Sequence, residues 1–530
     1  MAHASLVILN AAVWTGIGSA GRCQAIAVND DRIVAIGSNT DISPLAGVTT
    51  KVIDAGGRLL LPGFNDSHAH LLLGGRQLMA VDLRNACSCN DLAAKIASAA
   101  QALPSGRWLI GGNWDNGAWS DPRLPTKEDI DPFTPATPVF VTRSDLHMGL
   151  ANSAALAAAG ITAGTPAPSG GAIMRHTDTG EPTGILKDAA LELIRRAIPP
   201  PSMDESLAAV GKASELAASL GVTSLQDMAV GKEWESWRVF QAFRRQQTLA
   251  VRLSLHMPLP DWTKTRVLPD GQQDAWLRLT GVKAFIDGSL GSSTALFFAP
   301  YDDEPGNFGL LMQSGGELGE QLAAADLTGL QAAVHAIGDK ANNILLNIFG
   351  EIAARNGNRD RRFRVEHAQH LGAADIGRMA ALGVIASVQP SHVIDDGRWA
   401  EKRIGPERAK YAYPFRSLIN AGVRLAFGSD WPVASLNPLE GIQAAVTRKL
   451  DGGQPWHPEQ RITVEEAVNA YTANAAYAEF AEREKGVLSP GMFADFVVLS
   501  KDIFAIQPEE IASAKVVCTV CGGRVIYEKW

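Results

Sequence analysis

Between residues 59 and 430 the chain repeats one alternation: a short apolar segment, then a stretch rich in alanine and leucine. The apolar runs fall at 59–65, 222–227, 251–257, 281–287, 330–335, 363–367, 384–388 and 423–427. Stretches between them, such as ESLAAVGKASELAASL, NNILLNIFGEIAARN and ADIGRMAAL, carry apolar residues at helical spacing. Strands that are apolar along their length are buried on both faces, as in a parallel sheet flanked by helices. Eight of them in strand–helix order predict an α/β fold, a closed (β/α)8 TIM-like barrel. An open doubly wound sheet would give similar strings, but no glycine-rich phosphate turn follows the first strand.

The count reaches eight only when residues 87–201 are set aside. That stretch has strand patterns of its own at 107–113 and 139–143, and loop-like runs NWDNGAWSDPRLPT and TAGTPAPSGG. It is too long for a simple connection and reads as an inserted α+β subdomain, roofing the active site from the barrel's carboxyl-terminal face. Residues 1–58 read as short strands with turn pairs, a pattern that FADFVVLS and AKVVCTVCGGRVIYE repeat at the other end. A small sheet cannot bury itself alone, so the termini are expected to build one composite β-sandwich. The expected division is 1–58 plus 486–530 for the sandwich, 59–86 plus 202–485 for the barrel, and 87–201 for the insertion.

The net charge of −8, without a dense basic block, excludes a nucleic-acid surface. No apolar stretch of 18 residues exists, so no transmembrane helix and no membrane partner are expected. The amino-terminal apolar run SLVILNAAVW lacks the basic lead of an export signal, and five sparse cysteines are no disulfide framework. A cytoplasmic location follows. Cys87-Ser-Cys89 and Cys518-Thr-Val-Cys521 have no second pair at zinc-finger spacing and read as small buried residues.

Polar residues at the strand ends carry the chemistry. The first run closes in LLLPGFNDSHAH, and in an extended chain His68 and His70 point to one side, a half-site for a divalent ion such as zinc. Lys283 sits in the fourth run, His335 ends the fifth, His367 the sixth, and Asp430 follows the eighth. Carboxyl-terminal strand ends meet at one mouth of a barrel, so four imidazoles and a carboxylate there make a metal centre by ligand count. Lys283 among cations is either paired with an acid such as Asp287 or neutral. A neutral amine can take up carbon dioxide as a carbamate whose two oxygens bridge two metals.

The order HxH, Lys, His, His, Asp resembles the amidohydrolase superfamily. PGFNDSHAH, DLHMGLANSAAL, VKAFIDGSLGS, VHAIGD, VEHAQH, SVQPSH, GSDWPV and GVLSPGMFADFVVL resemble the branch typified by N-substituted formamide deformylase and the YtcJ-like proteins. The resemblance covers nearly the whole chain. It implies that His68, His70 and Asp430 hold one metal and His335 and His367 a second, one or two zinc ions per chain, bridged by Lys283 carrying a carbon-dioxide-derived carbamate. It implies a hydrolase that cleaves a C–N bond of a small amide or formamide by metal-activated hydroxide. Asp430 is then the general acid and base, and His147 or His392 assists at the oxyanion.

The same centre could serve an ester hydrolase, isomerase or lyase, and the scaffold could serve a non-catalytic relative. His3, His176, His256, His370 and His457 read as structural or exposed, and Asp227 and Asp287 as partners that orient ligands. Trp114, Trp119 and Trp431, in loop-like sequence, are expected to wall the pocket for an apolar or aromatic substrate group. A homodimer is the default assembly for a barrel of this size.

Overall fold

A computed structural model describes residues 3–18, 23–104, 106–144, 147–229, 234–246, 249–267 and 273–530. The chain divides into two compact units, Met1–Leu72 with Ala213–Trp530, and Leu73–Lys212.

The first unit holds eight parallel strands: β1 Phe64–Ala69, β2 Val222–Met228, β3 Arg252–Pro258, β4 Leu277–Phe285, β5 Gln331–Ala336, β6 Arg364–His367, β7 Ile385–Val388 and β8 Leu425–Phe427. Each pairs with its neighbours in sequence order from β1 to β8. The last seam closes past the strand ends: Asp430 N–H donates to His68 O at 2.7 Å and His70 N–H to Trp431 O at 2.8 Å. Asp66, fully buried, accepts from the backbone N–H of both His68 and Ser429 at 3.0 and 3.1 Å. Burial pushes this carboxyl up to about 7.

The first strand departs from expectation. Leu59–Pro62 pairs antiparallel with Phe496–Leu499 in a terminal five-stranded sheet, and the barrel strand starts only at Phe64. Gly63 makes the passage between the two sheets, where a Cβ would collide with the Thr223 side chain. Every residue of LLLP is buried, so apolarity alone cannot say which sheet it joins. A four-stranded sheet of Ala4–Leu9, Ala25–Asn29, Arg32–Gly37 and Ala46–Asp54 lies in the same unit. One apolar core joins Leu6, Ile8, Ile26, Val28 and Leu60 to Phe496, Val498 and Val520, so both ends of the chain share it.

The Leu73–Lys212 unit is built on a six-stranded mixed sheet in the order Gly171–Arg175, Pro182–Asp188, Met148–Ala151, Val139–Arg143, Leu109–Trp114 and Val81–Asp82. It begins and ends wider than residues 87–201. Trp114 and Trp119 correct the sequence reading. Both are buried in this unit's own core with Leu92, Ile96 and Ile130, and the Trp119 indole N–H donates to Ala86 O at 2.6 Å. Asparagine, aspartate and glycine around them mimic a loop, yet Trp114 ends a strand.

Among the described residues no helix is long and apolar enough to cross a membrane. All five cysteines are free; Cys89, Cys518 and Cys521 are buried, whereas Cys87 is exposed, against expectation.

Candidate metal centre

Regular alternation in β1 is interrupted by a register shift between Asp66 and Ala69, and His68 and His70 both line the cavity past it. Asp66 spends its carboxylate on the seam, which leaves the two imidazoles at the barrel mouth. On β6, Arg364 and Glu366 share a side by strand alternation, so His367 should point away from it. It is turned by its backbone: φ is 75° at His367 and 43° at Ala368, values that non-glycine residues rarely take. Asp430 is also left-handed, with φ 58°. Two of the six predicted positions therefore sit where the chain leaves regular strand geometry.

The six positions converge. Ring centroids of His68 lie 5.6 Å from His70 and 4.8 Å from His367, and His367 lies 4.4 Å from His335. Asp430 Oδ1 is 3.1 Å from His70 Nε2 and 3.4 Å from His68 Nε2. Donor atoms of His68, His367 and Asp430 all fall within 4.8 Å of one another. Lys283, 3% exposed, lines the same cavity of about 480 Å³ as all five.

Each imidazole has one nitrogen committed to an oxygen acceptor. His68 Nδ1 meets Glu366 Oε2 at 2.6 Å, His70 Nδ1 meets Met228 O at 2.7 Å, His335 Nε2 meets Gly288 O at 3.0 Å, and His367 Nδ1 meets Gln389 Oε1 at 2.8 Å. Carbonyl and ionised carboxylate oxygens only accept, so these four nitrogens carry the protons. The opposite nitrogens of His68, His335 and His367 offer lone pairs, whereas His70 Nε2 donates to Asp430 Oδ1 at 3.1 Å and becomes a ligand only when a cation takes the place of that proton. Three of the four rings thus hold the tautomer a cation requires.

The electrostatics agree for His68, His335 and His367. Burial, reinforced by Lys283, drives His68 down to about 4 and His335 down to about 3; His367 falls well below its usual value through burial and the two neighbouring imidazoles. Burial raises Asp430, but the His68 and His70 rings outweigh it and hold the carboxylate ionised. For His70 burial acts downward, and the Asp430 hydrogen bond and charge reverse it to a net rise. Burial lowers Lys283 to about 8, against the pull of Glu366 and Asp430.

Asp287 does not pair with Lys283. Its carboxylate accepts backbone N–H groups of Leu296, Ile337 and Gly338 at 2.9–3.0 Å and stays 3.7 Å from His335 Nε2, so it braces the β4 and β5 ends. Asp227 likewise accepts from Leu71 N–H at 2.7 Å, securing the chain just past His70.

His392, on the helix Pro390–Asp396 after β7, lines the cavity, and its Nε2 is buried without a hydrogen-bond partner. His147 belongs to the Leu73–Lys212 unit; its side chain is 78% exposed and its Nδ1 lies 2.8 Å from Asp188 Oδ1. Trp431 is buried and serves through its backbone carbonyl. The aromatic wall is Phe285 and Trp399, with Leu290 and Val433 beside them. The remaining histidines are structural or peripheral: His256 bonds Gln331, His370 packs on Phe297 and Tyr413, and His176 and His457 face acidic neighbours.

Sequence reasoning missed Glu366, Gln389 and Arg364. All three are fully buried, and Arg364 Nε donates to Glu366 Oε1 at 2.7 Å. The available signal was the placing of two opposite charges two apart in the otherwise apolar strand FRVEH.

Comparison with known proteins agrees with this geometry. The profile of the Amidohydrolase family matches residues 51–527. The chain is 40% identical to Protein LONG AFTER FAR-RED 3 of Arabidopsis thaliana over 99% of its length and 92% of that relative. It is 29% identical to the N-substituted formamide deformylase of Arthrobacter pascens over 99% of its length and 98% of the relative. An uncharacterized metal-dependent hydrolase from Pyrococcus furiosus superposes with a TM-score of 0.79 at 30% identity, covering 94% of this chain and 99% of that one. The eight parallel strands, the strand ends that carry His68, Lys283, His335, His367 and Asp430, and the match along nine-tenths of the sequence agree, and the chain belongs to the amidohydrolase family.

Proposed function

We propose that the protein is a metal-dependent hydrolase of a C–N bond in a small amide or formamide. The observation that carries this reading is the clustering of four imidazoles, His68 and His367 buried and His70 and His335 mostly so, each tied at Nδ1 or Nε2 to a protein acceptor, around an ionised Asp430. Nitrogen and carboxylate donors of this kind suit zinc. His68, His70 and Asp430 would hold one ion and His335 and His367 a second. Lys283, buried and with its ammonium disfavoured, would hold the metal as a carbamate ligand. An ion so held supplies water acidified to near neutrality and a Lewis acid for the carbonyl.

The chain's own residues do the rest. Asp430 takes the proton from the attacking water at a carboxylate oxygen and returns it to the leaving nitrogen, as general base and then acid. His392, with its unpartnered Nε2, is assigned to the developing oxyanion. Phe285, Leu290, Trp399 and Val433 give the cavity an apolar side, which favours an apolar or aromatic group on the substrate. The name of the Arthrobacter relative points to the same substrate class.

The test combines elemental analysis of purified protein with product analysis by mass spectrometry on a panel of formamides, amides, esters and cyclic ureas. Expected are one or two zinc ions per chain, formamide or amide cleavage, and, in His335→Asn at unchanged fold, lower zinc content with loss of turnover. Ester-only turnover, or products isomeric with the substrate, would replace the C–N assignment; full activity in His335→Asn would refute the centre.

A further inference from the structure

Three of the four imidazole-holding acceptors are neutral: Met228 O, Gly288 O and the Gln389 amide. His68 alone has a carboxylate, Glu366 at 2.6 Å, behind the nitrogen turned away from the centre, whereas the carboxylate at His70, Asp430, is one of the proposed ligands. That carboxylate is itself fixed. Arg364 Nε donates to its other oxygen at 2.7 Å, and the same guanidinium donates across the barrel to Ser67 O at 2.6 Å, to Ser387 Oγ at 2.9 Å and to Gln226 Oε1. These partners lie on β1, β7 and β2, so the Arg364–Glu366 pair is anchored from three directions and has no freedom to follow His68. Both side chains have no exposed surface. His68 in turn stands in the middle of the cluster, between the rings of His70 and His367 and 3.4 Å from Asp430.

We infer that Glu366 is a positioning residue for the metal centre: it fixes His68 as the Nδ1–H tautomer and so turns the Nε2 lone pair toward the ion. A charged acceptor behind a ligating imidazole also makes it a stronger donor, and removing such partners costs about 10–100-fold in metal affinity. A purely structural pair would instead stabilise the metal-free fold and leave affinity untouched. The inference rests on the metal-centre reading above, and the measurements separate the two.

Glu366→Gln is compared with wild type by zinc titration against a chromophoric chelator, by the visible absorption of the cobalt-substituted protein, and by urea unfolding of the metal-free form. Expected is about a 10–100-fold weaker zinc Kd and a shifted cobalt spectrum. Wild-type Kd and spectrum in folded E366Q overturn the inference, whatever its stability; a wild-type protein that binds no zinc overturns the metal-centre reading instead. E366Q leaves Arg364 without a counter-charge and could fail to fold. The double variant R364Q/E366Q, which removes both charges, then carries the same readouts with the same outcomes. If neither folds, nitrogen-15 histidine spectra of metal-free wild type decide: an Nδ1-protonated His68 supports the assignment, and an Nε2-protonated one sinks it.

Discussion

Asp430→Asn separates the backbone role of this position from the two roles assigned to its carboxylate, ligand and proton carrier, and the metal content then separates those two. Asp430 holds φ at 58°, its N–H donates to His68 O at 2.7 Å, and its carboxylate lies 3.1 Å from His70 Nε2. Asparagine tolerates the left-handed region nearly as well as aspartate, so the backbone and the barrel seam are kept. What is lost in the metal-free protein is one charge-assisted hydrogen bond to His70, about 1.5–3 kcal/mol. What is lost in catalysis is the group assigned to proton transfer, typically 10²–10⁴-fold, or about 2.7–5.5 kcal/mol in the barrier. Asp430→Ala should lose the same activity but a further ~1–2 kcal/mol of stability, because alanine at positive φ is strained. The assay is kcat/KM on the best substrate from the amide panel, beside zinc content and urea unfolding for both variants. Asp430→Asn keeping more than about a tenth of wild-type kcat/KM with a full metal complement would refute Asp430 as the proton carrier. Equal stability of the two variants would refute the backbone argument alone.

Exhaustive chelation should abolish turnover, with recovery on zinc addition; activity surviving metal removal, verified by elemental analysis, would contradict the proposed centre. Trp399→Ala should raise KM for aryl amides about tenfold, roughly 1.4 kcal/mol, and leave kcat and short aliphatic amides nearly unchanged; an equal effect on both substrate types would remove Trp399 from the apolar wall. His370 is buried with neither ring nitrogen bonded, and burial drives it down to about 3. Between that value and the unfolded value near 6.5 the unfolded chain binds the extra proton, so this group makes stability fall as pH falls, by up to about 1.4 kcal/mol per pH unit. His370→Leu should flatten the slope of urea midpoints between about pH 6 and about pH 4 relative to wild type; parallel slopes would show that His370 is not neutral inside.

Seven of the eight barrel strands were legible because a doubly covered strand must be apolar whatever its neighbours, and the observed bounds of β2–β8 differ from the sequence runs by a few residues at most. β1 was displaced because Leu59–Ala69 is one buried run that changes sheets at Gly63, and partner choice is a long-range matter that no local pattern encodes. Four imidazoles, a lysine and an aspartate stood out because each interrupts or ends an apolar run. Glu366 was passed over for the opposite reason: in strand context a carboxylate reads as facing solvent, and its pairing with Arg364 two positions earlier acquires its meaning from the contact with His68, 298 positions away. Trp114 and Trp119 failed through composition, since turn-forming residues surround two side chains that are core.

The interior of this barrel is itself an argument for the site. A barrel with nothing to hold fills its centre with layers of branched apolar side chains. Here β1, β2, β6 and β7 instead direct Ser67, Gln226, Arg364, Glu366 and Ser387 into one buried hydrogen-bonded layer. Burial alone would raise Glu366, yet Arg364 and the His68 contact bring it well below the usual carboxylate range, so it is ionised and can only accept. Such a pair is no cheaper than an apolar core, because desolvating two ions offsets most of their attraction. Its worth lies in direction. Apolar side chains could fill the same volume, but they could not present an oxygen at one fixed point beneath His68, and a tautomer is set only by where its acceptor stands. The polar layer and the four tied imidazoles are therefore one construction, in which the floor of the barrel determines what its rim can bind.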